Sequence, residues 1–303
     1  MRLVKQLVVV IAVNLAGGQA SAAAGWNVPL TLILGLATAA LAILAYRWIV
    51  GRTEKRAVGE LARTGAAGRL GRGLLLGTGM FAAVIANIAF LGGYEVLGWG
   101  SLAGAIALFG FSAAAAVTEE LLFRGVLFRI VEGRFGSWAA LLFTSALFGS
   151  AHLLNAHASL WGAIAIAIEA GGMLGAAYVA TRSLWLPIGL HFGWNFAEGA
   201  IFGTAVSGTD APQGLLHSTM SGPMLLSGGE FGPEGSIYTV LAGAIATIVF
   251  MWLARRRGHI VPRRRRGADV APAAAATMGG GDRAVTSAQT GVEMGSDQSP
   301  GVR

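Results

Sequence analysis

Eight apolar runs, each long enough to cross a bilayer, dominate the first 254 residues. They cover approximately 3–24, 28–50, 74–98, 101–123, 138–156, 160–181, 184–204 and 236–254. A helix needs about 20 apolar residues to span the hydrocarbon. In lipid each backbone N–H and C=O must find its partner within the chain, so runs of this length must be helical. The expected fold class is all-α: a polytopic membrane helix bundle with about eight transmembrane helices. Only 12% of the residues are charged and 54% are hydrophobic, against roughly 25% charged in a soluble domain. That excludes an ordinary water-soluble enzyme. The fourth run is expected to continue as helix past Glu119 and Glu120 to about Glu132, beyond the bilayer edge.

The cations orient these spans. Arg2 and Lys5 precede the first; Arg52, Lys55, Arg56, Arg63, Arg69 and Arg72 follow the second. Arg124, Arg129 and Arg134 follow the fourth, Arg182 the sixth, and Arg255–Arg257 and Arg263–Arg266 the eighth. Alternate threading puts all of them on one side, whereas the opposite loops, around 25–27, 99–100, 157–159 and 205–235, contain no Lys or Arg. The positive-inside rule makes the loaded side cytoplasmic. The expectation is an integral plasma (inner) membrane protein with both termini in the cytoplasm. The net charge of +7 then records topology, and no nucleic-acid partner is expected. The first run also has the layout of a signal peptide, with Ala20-Ser21-Ala22 at its end. Removing it would leave seven spans in the same orientation.

The expected organisation is a block of N-terminal helices with a cytoplasmic loop (1–99), a core block (100–205), an outer loop and last helix (206–254), and a basic, disordered tail (255–303). The loop 205–235 is rich in Gly and Pro and either caps the bundle or is flexible. Cysteine is absent, which excludes disulfides, thiol nucleophiles and Cys-ligated metals.

Ionisable side chains inside spans are costly, about 2.5–3.5 kcal/mol on insertion scales, and are functional candidates by default. Those here are Glu119, Glu120, His152, Glu169, His191 and Glu198, with Asn195 and Asn87 as neutral polar companions. On a helix, Glu120 and Arg124 are i,i+4 in the favourable order for an ion pair, while Glu119 points about 100° away. One acid is thus expected to be neutralised and the other to face the interior as a general base or acid. His152 stands alone in its span, where a structural histidine is the commoner outcome. His191 and Asn195 share a helix face, serving either as an interhelical clasp or as donors to a developing oxyanion. Gly189 and Gly193 on the same helix allow a neighbouring backbone to approach closely. At about 1.5 Å per residue, Glu119, His191 and Asn195 lie roughly 12–18 Å from the cytoplasmic edge and His152 about 20 Å, so the four can meet. A carboxylate, a His and a His/Asn donor pair suit attack of water on an amide carbonyl.

Three motifs now stand in order, each in its own span: Glu119-Glu120…Arg124, Phe148…His152 and His191…Asn195. They match EExxxR, FxxxH and HxxxN, and over about residues 100–205 the chain resembles the CPBP intramembrane proteases. These are the type II CAAX prenyl endopeptidases, the Abi proteins and the bacteriocin-processing enzymes. The resemblance implies an intramembrane endopeptidase acting on a membrane protein or peptide, lipidated in part of the family. It implies that Glu119 activates water with help from His152, that His191 and Asn195 stabilise the oxyanion, and that Glu120, Arg124 and Phe148 support the site. The family is often labelled metalloprotease. A divalent metal such as zinc, if present, would use Glu119, His152 and His191, although these lack the HExxH arrangement on one helix. Glutamate-activated water is the favoured expectation, with no cofactor required. The competing expectation is a non-proteolytic scaffold or transporter that retains the fold. Glu169 and Glu198 have no motif partner and rank lower, as do Asn87, Asn155 and His157.

Overall fold

A computed structural model describes residues 1–263; of the tail expected at 255–303, the part from 264 lies outside the described residues, whereas Arg255 and Arg256 are helical and Val261 N donates to Ser137 Oγ at 2.9 Å. The helices are α1 (Arg2–Ala23), α2 (Val28–Glu54), α3 (Ala66–Phe90), α4 (Leu102–Phe135), α5 (Ser137–Leu154), α6 (Leu160–Thr181), α7 (Trp185–Asn195, continued by a turn to Ile201) and α8 (Ile237–Arg256). Each of these except α7 is long and apolar enough to cross a membrane. The fold is an all-α polytopic bundle, as the apolar runs require.

Two expected spans differ. The segment expected at 184–204 is shorter, because α7 has 11 regular residues and a six-residue π turn before Gly203, at φ +67°, reverses the chain. The span expected at 74–98 begins eight residues earlier, at Ala66, and ends at Phe90. Gly92, at φ +75°, takes a backbone shape that favours glycine and ends the helix. Tyr94–Trp99 then form a strand, β1, paired antiparallel with β2 (Leu216–Met220) across a bulge between Val96 and Gly98. Tyr, Val and Trp favour a strand over a helix here.

Three helices contain π-helical stretches: Leu121–Phe128 in α4, Ala167–Gly172 in α6 and Phe196–Ile201 after α7. Such wide turns recur at functional sites because they re-aim side chains within a continuing helix. Here each lies beside or carries an intramembrane acid: Glu119 and Glu120, Glu169, and Glu198.

Helices α3 and α7 pack backbone to backbone. A Cβ on Gly189 or Gly193 would run into the backbone of Leu70 or Leu74, and one on Gly73 or Gly77 into that of α7. The glycines on α7 were legible as a close-approach face, and α3 is the neighbour that uses it. Thr78 Oγ1 donates to Gly193 O at 3.1 Å across the same seam.

At the cation-rich end, Arg56 grips the buried Glu60 with two nitrogens at 2.8 and 2.9 Å. Arg129 of α4 holds Glu54 of α2 the same way, at 2.7 and 2.9 Å. The Tyr46 hydroxyl sits 2.7 Å from Glu60 Oε1 and 2.9 Å from Gly125 O. Gln6 of α1 donates to Thr53 and Glu54. Arg129, one of the cations that orient the spans, thus also ties α4 to α2, and Gln6 adds α1 to the same carboxylate.

Candidate active site

The site begins where regular α4 gives way to its π turn. Arg124 Nη1 donates to Glu120 Oε1 at 2.7 Å, and both side chains are buried. Arg124 Nη2 crosses to the Ala170 and Gly171 carbonyls of α6 at 3.0 and 3.2 Å. The guanidinium also stands 4.6 Å from the centre of the Phe148 ring of α5, within reach of a cation–π contact. One arginine therefore joins α4, α5 and α6. The carboxylate neutralised by the motif arginine is Glu120, as the helical spacing predicts. The side chain of Glu119 keeps 26% of its surface exposed.

His191 sits between the two acids. Its Nδ1 lies 3.2 Å from Glu120 Oε1, and its Nε2 lies 3.9 Å from Glu119 Oε2. A carboxylate accepts, so Nδ1 carries the hydrogen towards Glu120. His152 caps the α part of α5, and its Nδ1 lies 2.8 Å from Phe148 O. A carbonyl can only accept, which fixes the hydrogen on Nδ1 and leaves Nε2 free. Phe148 packs against both imidazoles, with ring centres 4.9 Å from His152 and 6.1 Å from His191, and edge-on to Phe123 at 4.9 Å. Its backbone orients one histidine and its ring packs beside both.

Glu119, His152, His191 and Asn195 all line one cavity of about 560 Å3, a size that suits a ligand site. The four residues expected to meet are therefore brought to one space. The far wall is α1 and α2, with Asn14, Gly17, Ser21, Thr31 and Thr38 facing in. The loop expected at 205–235 is a cap: Val206, Ser207, Thr209 and Asp210 close the cavity, and Phe231 packs against the Phe123–Phe148 cluster. Neither the α1 wall nor the cap was legible from motif spacing, because both are contacts between segments far apart in sequence.

Glu119, His152 and His191 are the set that could hold a metal. Among the described residues, no three His, Asp or Glu side chains are grouped so as to hold one. One nitrogen of each histidine is already committed, to Phe148 O and to Glu120. Each keeps its Nε2, as a metal-bound histidine does, so only the spacing of the three side chains speaks against a metal set. Glu169 and Glu198, ranked low by their lack of motif partners, are fully buried; neither Glu169 oxygen has a hydrogen-bond partner, and Glu198 neighbours the Glu234 carboxyl. Burial of these acids is the signal that spacing could not supply.

A buried Glu–Arg pair, a second Glu facing a cavity, two histidines and an asparagine thus stand together within a helix bundle. Residues 99–197 match the family model described as "Type II CAAX prenyl endopeptidase Rce1-like", and the matched segment contains all three motifs. The match supports the CPBP/CAAX protease family and, in general terms, an intramembrane CAAX-type endopeptidase. No curated protein and no solved structure matches the chain.

Proposed function

We propose that the chain hydrolyses a peptide bond in a membrane-associated protein or peptide, lipidated substrates included, with Glu119 as the base that activates water. The carrying observation is the division of labour between adjacent acids. Glu120 is locked by Arg124 and His191, while Glu119 Oε2 has no hydrogen-bond partner and lies at the cavity beside His191 Nε2.

In this reading Glu119 takes a proton from water as the water oxygen attacks the carbonyl carbon, and His152 Nε2 helps to hold the water. The carbonyl oxygen becomes an oxyanion facing His191 and the Asn195 amide. With Nδ1–H directed at Glu120, an Nε2–H donor to the oxyanion requires the imidazolium form of His191. Collapse of the tetrahedral intermediate breaks the C–N bond, and Glu119 returns its proton to the leaving nitrogen. The buried Glu120–Arg124 pair positions His191 and the base-bearing turn.

Both termini and the loaded loops are assigned to the cytoplasm of a plasma (inner) membrane protein by the cation distribution. The bilayer and a membrane-borne substrate are the partners. Residues 100–205 form the catalytic core, with 1–99 and 206–254 supplying wall and cap. The direct test compares wild-type protein with Glu119→Gln on the membrane proteome. Substrates should accumulate uncleaved in the variant, and unchanged cleavage would overturn the reading.

A further inference from the structure

Hydrolysis inside a bilayer consumes one water per turnover, at a site walled by apolar helices. Behind His191 and Asn195 lies a second, smaller chamber of about 10 Å3, close to the room that a single water needs. It is lined by polar groups that the chemistry above does not use: Glu169, Trp194, Ser207 and Glu234.

Trp194 is 3% exposed and Glu169 is 0% exposed. The Trp194 Nε1–H finds no acceptor, and neither Glu169 oxygen finds a donor. Buried donors and acceptors that line one small chamber, whose other walls include Ile166, Met173 and Leu174, and that remain unpaired are the conditions under which a bound water is favourable. Ser207 Oγ is committed to Glu234 Oε2 at 2.6 Å, which closes the far side. The chamber and the large cavity share His152, His191, Asn195 and Ser207 as lining, so a water in the chamber adjoins the reacting groups. The π turn that carries Glu169 also supplies the Ala170 and Gly171 carbonyls gripped by Arg124. The motif arginine therefore fixes the backbone that aims Glu169. Besides Arg124, the other charged or titratable groups acting on or facing this acid are Glu234, Glu198, His152 and His191.

We propose that the chamber between Trp194 and Glu169 is a water-holding site that supplies the hydrolytic centre, with both residues acting as positioning residues through that water. The proposal rests on the hydrolytic reading above. Trp194 Nε1–H donates to the water oxygen and the water donates to Glu169, which leaves its second hydrogen for the His152–His191–Asn195 side.

The test uses the full-length protein in detergent or nanodiscs and compares Trp194→Phe, Glu169→Leu and Glu169→Gln, with Glu119→Gln in parallel. Trp194→Phe removes the indole N–H together with part of a buried ring, and at matched folded concentration it should lower kcat about tenfold, the worth of one strong hydrogen bond. KM should not change, and the unfolding midpoint should fall only by the cost of the lost ring volume. Glu169→Leu should lose at least as much, and Glu169→Gln, which keeps polar atoms at that position, should recover most of the loss. A high-resolution experimental map should show an ordered water within hydrogen-bond distance of Trp194 Nε1, absent in Trp194→Phe. Wild-type kcat in both Trp194→Phe and Glu169→Leu, an effect confined to KM, or a map without that water overturns the proposal. If Glu119→Gln stays active while the water is present, the hydrolytic assignment of Glu119 fails and the water site stands.

Discussion

His191 Nδ1 lies 3.2 Å from Glu120 Oε1, and the same carboxylate oxygen accepts from Arg124 at 2.7 Å. A single oxygen thus fixes both the motif arginine and the orientation of the histidine, all three side chains being buried. Breaking such a pair from one side leaves an uncompensated buried charge, which costs about 3–5 kcal/mol. Arg124→Ala and Glu120→Gln should each lower the unfolding midpoint and folded yield together with activity. A variant with normal yield and lost activity would argue that the pair serves chemistry alone.

Phe148 offers a separable test of geometry against stability. Phe148→Ala should destabilise by about 3–5 kcal/mol, as for other buried aromatics cut to alanine. Phe148→Leu keeps the apolar bulk but removes the ring that packs beside both histidines and Arg124. It should remain folded yet turn over at least tenfold more slowly, a loss of about 1.4 kcal/mol in transition-state stabilisation. Wild-type kcat in Phe148→Leu would show that the ring only fills space.

The α3–α7 seam predicts a position-specific penalty for one methyl group. Gly193→Ala would drive a Cβ into the Leu74 backbone, whereas Gly79, on another face of α3, has nothing within 4 Å of a built Cβ. Gly193→Ala should therefore lower thermal stability by about 1–3 kcal/mol, as overpacking does, and displace His191 two residues away. Gly79→Ala should be neutral or slightly stabilising. Equal behaviour of the two variants would contradict the packing described here.

At the cation-rich end, burial pushes the Glu60 carboxyl up, but hydrogen bonds from Arg56 and Tyr46 outweigh it and hold the group below its ordinary value of 4.5. A carboxylate depressed on folding contributes stability above its unfolded pKa and loses it as pH falls through the folded value. Wild type should exceed Glu60→Gln in stability at pH 7, and the gap should close progressively below about pH 4.5. Denaturation at stepped pH checks this. A gap that widened on acidification would have the wrong sign.

The metal question has a direct readout. If Glu119 activates water without a metal, chelation by EDTA should leave kcat of the purified protein unchanged. Loss of activity that zinc restores would instead make Glu119, His152 and His191 a ligand set that closes only in the working enzyme.

Much of this was legible in the sequence, for physical reasons. Apolar length fixes spans in lipid, so α1, α2, α6 and α8 fall within a few residues of their expected bounds. The i,i+4 spacing singles out Glu120 as the partner of Arg124. What spacing cannot convey is tertiary. The end of α3 depends on Gly92 and on a strand partner more than 100 residues away. The π turns that aim Glu169 and Glu198 leave no mark in apolar periodicity. Glu169 ranked low because its significance lies in burial beside Trp194, on a different helix.

The central claim is that Glu119, and not its arginine-bound neighbour, is the base. The most direct measurement is the cleavage rate of an identified substrate by purified Glu119→Gln at matched folded concentration. Cleavage should be lost with an unfolding midpoint close to wild type, because Glu119 faces the cavity and its Oε2 accepts no hydrogen bond. Substantial cleavage by folded Glu119→Gln would contradict it.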